Sequence, residues 1–331
     1  MSTNNNNNSL SLLDRIRINH GNQKLREAFG KLAGTYRERA VKLLNDNRIL
    51  FYTLYVLLPD IDAYNLYSLL NSRNKMALKM STKALKDENI RTNLNSLPKY
   101  DNRSLYSTLK WMFQTGYEKD GSDDEFDEVL DKIFAILVRK YEDKTTLPIL
   151  ANMIFKRNRQ DRYIHDLVWA FFEIKDPFIL ELVADFLRSP DDKDVELACR
   201  LLNIESIAMA KNMDRYEAYL AWFKENRFFL HFTGENYQLT STPTFYRVDL
   251  DAKYLSKRSV YRNRKRIISY SESEKSHLKD FNELEYEERV VLAEISHKIH
   301  NQNPRVWSDW IKSPVKEQKF IAKLGLGGDF L

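Results

Sequence analysis

Residues 143–202 read DKTTLPILANMIFKRNRQDRYIHDLVWAFFEIKDPFILELVADFLRSPDDKDVELACRLL, and a shift of 33 positions lays one half of this stretch on the other. Leu147, Leu150, Ala151, Ile154, Ile164 and Val168 fall on Leu180, Val183, Ala184, Leu187, Leu197 and Leu201. Spacings of three and four within each set put the apolar residues on one face of a helix. Asp143 falls on Asp176 and Asp161 on Asp194, where carboxylates would accept from the first free N–H groups of the helices. A fixed offset of this size marks a supersecondary unit that buries its apolar face by stacking on its neighbours.

The second block, from Asp176 to Ile204, resembles a HEAT repeat. Asp176-Pro177 opens a first helix filled by Leu180, Leu182, Val183 and Leu187. Ser189-Pro190-Asp191-Asp192 turns the chain, and Asp194-Val195 with Ala198 and Leu201-Leu202 forms a second helix. The block from Thr146 to Phe172 follows the pattern more loosely, and Glu196 stands where the family commonly has Arg. The resemblance covers 143–202 clearly and 125–230 loosely. It implies a curved helix-pair solenoid that presents an extended surface to a protein or nucleic-acid partner.

Outward toward the N-terminus, Leu25, Phe29, Leu32, Tyr36 and Leu43 predict a helix over 23–45, and further helices are expected near 48–58, 60–72, 75–88 and 102–115. Residues 118–131, EKDGSDDEFDEVLD, carry eight carboxylates and one lysine before an apolar helical pattern. An acidic loop feeding a helix N-terminus is favoured by the helix dipole. Asp120, Ser122, Asp124 and Asp131 also fit positions 1, 3, 5 and 12 of a calcium loop, but Glu125 stands where the sharp turn needs Gly.

Outward toward the C-terminus, an aromatic-rich helix over 213–230 gives way to a stretch compatible with a short β-hairpin near 232–250. Residues 253–266 hold seven basic side chains interleaved with tyrosines, and no acid occurs from 252 to 271. Cations along a track and aromatics for stacking suit nucleic acid. A solvated loop, or one docked on the acidic 118–131 or 283–288 segments, accounts for the composition equally. Glu294, His297 and His300 lie at i, i+3 and i+6, a spread of about 600° that turns His300 away from the Glu294 face. The last 29 residues, with Trp307 and Trp310, either cap the fold or dock on a partner, and capping is the favoured expectation.

The expected organisation is a disordered tail over 1–9, an N-terminal helical region over 10–117, HEAT-like repeats over 125–230 and a C-terminal extension over 231–331, in an all-α chain. Only 9 of 331 residues are Gly, which disfavours Gly-rich phosphate loops. The single cysteine, Cys199, permits no intrachain disulfide, and residues 1–9 lack the pattern of a secretory leader. The run Ile49–Leu58 falls far short of the roughly 20 residues that span a bilayer. A cytoplasmic chain follows as the expectation, with no membrane partner, no cofactor and no small-molecule substrate.

His165-Asp166 stands without any GxSxG, CxxC, HExxH or P-loop element. The expected function is therefore a non-enzymatic scaffold or adaptor that binds a protein. Its contact residues would be Arg157, Arg159, Arg162 and His165 on an exposed repeat edge, with Trp307 and Trp310 in the tail. The first alternative is a nucleic-acid-binding protein using Lys253, Lys257, Arg258, Tyr261, Arg262, Arg264, Lys265 and Arg266. The second is an enzyme with an unrecognised site.

Overall fold

The computed structural model describes residues 10–90, 93–204, 212–258, 260–262 and 265–325. The chain is mostly helical, at 70% helix, and divides into two compact units between Ile174 and Lys175. That division falls between the two halves of the 33-residue sequence repeat.

The first unit holds α1 (Leu12–Thr35), α2 (Arg37–Leu44), α3 (Phe51–Val56), α4 (Leu58–Ala63), α5 (Ser72–Lys86), α6 (Asn102–Gly116), α7 (Asp124–Tyr141), α8 (Leu147–Arg159) and α9 (His165–Phe172). Helix α7 is its centre and packs on α5, α6 and α9. Asp123 caps it by accepting from the Phe126 N–H at 2.9 Å. Three acids fill its first turn, and Arg139 and Lys140 its last, which matches the helix dipole at both ends. Its apolar face, Phe126, Val129, Leu130, Ile133, Phe134 and Leu137, is fully buried, and each such side chain contributes roughly 1.5–3 kcal/mol.

At the start of the chain Asp14, itself buried, accepts from Thr53 Oγ1 at 2.5 Å and from the Leu50 N–H at 3.2 Å. Arg17 Nε donates to Thr53 Oγ1 at 2.6 Å. This network ties α1 to the start of α3.

Two expectations for this region are corrected. The helix expected over 23–45 is the second part of α1, which kinks at Gly21, plus α2 after a break at Tyr36. The helix expected over 60–72 ends at Ala63, because Asn65 turns left-handed and a short 3₁₀ turn follows.

The second unit holds α10 (Ile179–Ala184), α11 (Asp192–Leu201), α12 (Asn212–Asn226), α13 (Leu250–Tyr254), α14 (Glu272–Asn282), α15 (Tyr286–Gln302), α16 (Pro304–Trp310) and α17 (Val315–Gly325). Strands β1 (Leu230–Phe232) and β2 (Tyr246–Val248) pair antiparallel, so the expected hairpin is present. A second antiparallel pair, β3 (Val260–Arg262) and β4 (Lys265–Ile267), was not anticipated.

In the core of this unit Tyr254 stacks on Phe281 at 4.1 Å beside Trp310, Leu278, Leu292 and Ala322. Buried Gln318 in α17 accepts from Tyr254 Oη at 2.8 Å and donates to the carbonyls of Trp310, Ile311 and Ser313 at 3.2, 3.3 and 2.9 Å. The described part of the tail thus folds back on its own unit.

Both blocks of the sequence repeat form helix, turn and helix, as α8–α9 and as α10–α11. The expected core residues Leu150, Ile154, Val168, Leu180, Val183, Leu187, Leu197 and Leu201 are all buried. Of the four expected capping aspartates, Asp143 caps the 3₁₀ turn that leads into α8 and Asp176 accepts from the Phe178 N–H at 3.0 Å just ahead of α10, whereas Asp161 and Asp194 are not where periodicity placed them. Asp161 lies in the α8–α9 turn with positive φ. Asp194 sits inside the first turn of α11, whose cap is Asp191. The expected disordered tail over 1–9 lies outside the described residues.

Candidate functional site

The acidic loop ahead of α7 and the basic end of α8 meet in the first unit. Arg157 is buried, 3% exposed, and its guanidinium grips two carboxylates. Nε and Nη2 donate to Asp120 Oδ1 at 2.8 and 2.6 Å, while Nη1 and Nη2 donate to Asp131 Oδ2 and Oδ1 at 2.9 and 2.8 Å. Half-buried Arg162 reaches Asp120 Oδ2 at 3.3 Å and pairs with Asp127. Asp127 also accepts from the Gly121 N–H at 2.8 Å. Gly121 has φ +91°, and a Cβ there would stand 2.6 Å from Arg162 Nη1, so the loop turns on a residue with no side chain.

Two guanidiniums face three carboxylates, and the cluster carries an excess negative charge. Burial pushes the Asp131 carboxyl up to about 6, with Asp120 and Asp127 adding to the push and Arg157 opposing it. Burial likewise raises Asp127. For Arg157 burial works against the charge, but Asp131 and Asp120 outweigh it and hold the guanidinium above its ordinary value.

Arg157 and Arg162 with Asp127 and Asp131 line a cleft of about 640 Å³ whose lining also includes Glu88, Asp124, Glu128 and Asp166. Lys132, on its wall, is spent on Glu128 at 2.5 Å and the Ala84 carbonyl at 2.6 Å. Tyr163 lines the cleft and is 59% exposed, and its ring lies 5.0 Å from that of exposed His165. The cleft therefore presents acid to solvent, with its arginines drawn inward.

This reverses one expectation. Arg157 does not lie on an exposed edge, because two buried or nearly buried carboxylates turn it into the interior; Arg162 is half-buried for the same reason, whereas Arg159 and His165 are exposed. Asp120 and Asp131, offered by spacing as calcium ligands, are both occupied by Arg157.

The tail tryptophans are corrected as well. Trp310 is buried in the core of the second unit, and half-buried Trp307 donates from Nε1 to Ser296 Oγ at 2.8 Å. Neither offers its ring as an exposed anchor.

The basic segment divides. Lys253 is fully buried, donating to Asn226 Oδ1 at 2.7 Å and pairing with Glu294. Lys257 pairs with Glu274 at 2.6 Å. Both are structural rather than surface cations. Arg258 remains exposed, Tyr261, Arg262, Lys265 and Arg266 belong to the β3–β4 ribbon, and Arg264 lies outside the described residues.

The Glu294, His297 and His300 trio disperses over different partners. His297 Nδ1 lies 3.3 Å from Ser256 Oγ and Nε2 lies 2.9 Å from Asn301 Nδ2, while His300 meets the Trp307 ring edge-on at 4.9 Å. Burial, reinforced by the Lys253 charge, lowers His297 to about 4, so the imidazole is neutral at pH 7. Among the described residues no three His, Cys, Asp or Glu side chains converge as a metal set would, and no helix is long and apolar enough to cross a membrane.

Compared with known proteins, the chain matches no family model, no curated protein and no solved structure.

Proposed function

We propose that this chain is a non-enzymatic, HEAT-like helical adaptor that binds a protein partner, and that the partner enters the acidic cleft of the first unit with a lysine- or arginine-bearing segment. The observation that carries the reading is the inward turn of Arg157 and Arg162. With their charges consumed by Asp120, Asp127 and Asp131, the cleft is left with Glu88 and Asp124 exposed on its rim. A potential of one sign over a concave surface concentrates a partner of the other sign and sets its orientation. Exposed Tyr163 adds an amphipathic ring of the kind enriched at protein interfaces.

The test combines Glu88→Lys and Asp124→Lys, two exposed positions outside the buried cluster. A fluorescein-labelled lysine-rich peptide is expected to bind the native chain in a salt-sensitive manner. The double variant should bind about tenfold more weakly, with only the small drop in melting temperature that a reversed charge in the first turn of α7 brings. In parallel affinity purifications, a protein retained by the native chain and lost from the variant would be the partner. Equal peptide binding by both chains, with identical co-purifying proteins, would overturn the proposal.

A further inference from the structure

Two cations of the second unit meet no carboxylate among the described residues. Arg227 and Arg258 are both exposed, and both guanidiniums lie over the ring of Phe228, at 4.7 and 4.6 Å from its centroid. The backbone beneath them is fixed from both sides. Arg227 leaves the end of α12 with its N–H donating to the Phe223 carbonyl at 2.8 Å. After α13 the chain turns left-handed at Ser256, and the Lys257 N–H donates back to the Ala252 carbonyl at 2.8 Å. Buried Lys253, in the last turn of α13, joins the two helix ends by donating to Asn226 Oδ1 at 2.7 Å. Asn226 immediately precedes Arg227.

The ring draws each guanidinium in by roughly 0.5–1 kcal/mol, while the like charges repel each other. Arg258 also acts on His297: together with burial, Lys253 and His300 it disfavours protonation of the imidazole, and Glu294 opposes them. The local potential is therefore positive, and an anion bridging the two heads would turn their repulsion into attraction. Two exposed side chains have the freedom to bring both heads to one tetrahedral group. A phosphate monoester suits them best: its charge of about −1.5 to −2 matches two guanidiniums, and its three terminal oxygens accept their paired N–H groups. A longer polyanion suits them less. Exposed Glu225 stands just before Asn226 and Arg227, and Glu294 is 49% exposed, so successive phosphates of a nucleic-acid strand would meet carboxylates beside the pair.

We infer that Arg227 and Arg258, held over Phe228, form a docking site for a phosphorylated serine or threonine of a protein partner. Clustered arginines recognise a phosphorylated side chain through such a local pair, whereas a nucleic acid calls for a track of cations. A planar guanidinium placed over an aromatic ring can keep its N–H edge free for bidentate contact with phosphate oxygens. The bond between Lys253 and Asn226 already ties the supporting helix ends together, so binding orders little beyond the two side chains. Lys257 takes no part, since it pairs with Glu274. The inference does not rest on the adaptor reading, whose acidic cleft belongs to the first unit.

The experiment measures the fluorescence anisotropy of a fluorescein-labelled, glycine-flanked phosphoserine peptide mixed with the full chain. The same peptide carrying serine or glutamate, and a short single-stranded DNA without terminal phosphates, serve as comparison probes. The phosphopeptide should bind about tenfold more tightly than any of these. Arg227→Gln and Arg258→Gln should each weaken it about tenfold. Arg227→Lys should recover little of that loss, because an ammonium does not offer the paired N–H groups. Lys224→Gln, which removes an exposed cation outside the pair, should leave binding unaltered. Melting temperatures should hold in all these variants, since the three side chains are exposed. No binding of the phosphopeptide by the native chain, an equal loss in Lys224→Gln, or tighter binding of the DNA strand would overturn the inference.

Discussion

The two units solve the problem of a buried charge in opposite ways. In the first, Arg157 is enclosed by carboxylates that are themselves out of water: the Asp120 side chain is 0% exposed and that of Asp131 15%. In the second, Lys253 is just as deeply buried, but its partner Glu294 is 49% exposed and its other contact is the neutral amide of Asn226. One cluster is closed and the other opens onto solvent. A closed cluster holds firmly while complete and fails badly when broken, because water reaches the enclosed Asp120 carboxylate poorly once its partner is gone. An open one lets the orphaned charge rehydrate.

The sharpest way to break this contrast is to remove both cations. Arg157→Met leaves Asp131 without its guanidinium and buried Asp120 with only the longer contact to Arg162, and about 3–5 kcal/mol of stability should be lost. Lys253→Met keeps the aliphatic volume and frees Glu294 into water, so the loss should be about 1 kcal/mol. Denaturant unfolding of the two variants measures both, and equal losses would abolish the distinction between closed and open clusters.

A neutral hub in the second unit tests the same idea without charge. Gln318→Ala removes an amide that joins Tyr254 Oη to three backbone carbonyls, leaving the hydroxyl without that partner. A loss of about 2–3 kcal/mol is expected in thermal or denaturant unfolding, smaller than for Arg157→Met, since each neutral hydrogen bond contributes about 1 kcal/mol net.

Acid should separate the units next. His297 lies at about 4 in the folded chain against an ordinary 6.5, so the unfolded chain binds this proton first. The stability it provides is complete above 6.5 and is lost as the pH falls toward 4. Asp131 lies at about 6 against 3.8, so the folded chain binds that proton first. Its contribution is complete below 3.8 and is lost as the pH rises through 6. Between pH 7 and pH 5 the first unit should therefore gain, and the second lose, roughly 1–2 kcal/mol each. Peptide-resolved hydrogen exchange at the two pH values reads both signs. His297→Gln should flatten the response of the second unit and Asp131→Asn that of the first, while parallel responses would refute the assignment.

Much of the fold was legible because apolar periodicity reports directly on which helix face is buried. Leu150, Ile154, Leu180 and Leu197 needed no knowledge of their partners to be placed inside. Charged residues are different, since their orientation depends on what lies across from them. The partners of Arg157 are 37 and 26 residues earlier, and Glu294 is 41 residues after Lys253. A basic run at a turn reads as an exposed edge until its counter-ions are located.

The clue that could have located them was the eight-carboxylate segment just ahead of α7. Docking of a basic run on an acidic segment was foreseen for residues 253–266, with 118–131 or 283–288 as its seat, but not for the run at the end of α8, whose Arg157 and Arg162 pair with Asp120 and Asp127. The β3–β4 ribbon was missed because its strands are three residues each and its dense charge masks any alternation.

The left-handed turn at Gly121 has a consequence for how the first unit can vary. Its amide steadies Asp127, and its missing side chain leaves room for the guanidinium that Asp127 binds. A single added methyl group would pry Arg162 away and strain the backbone in the same stroke, with every ionisable residue left in place. Acids around the bend can be traded for one another far more freely than this one uncharged position can be altered.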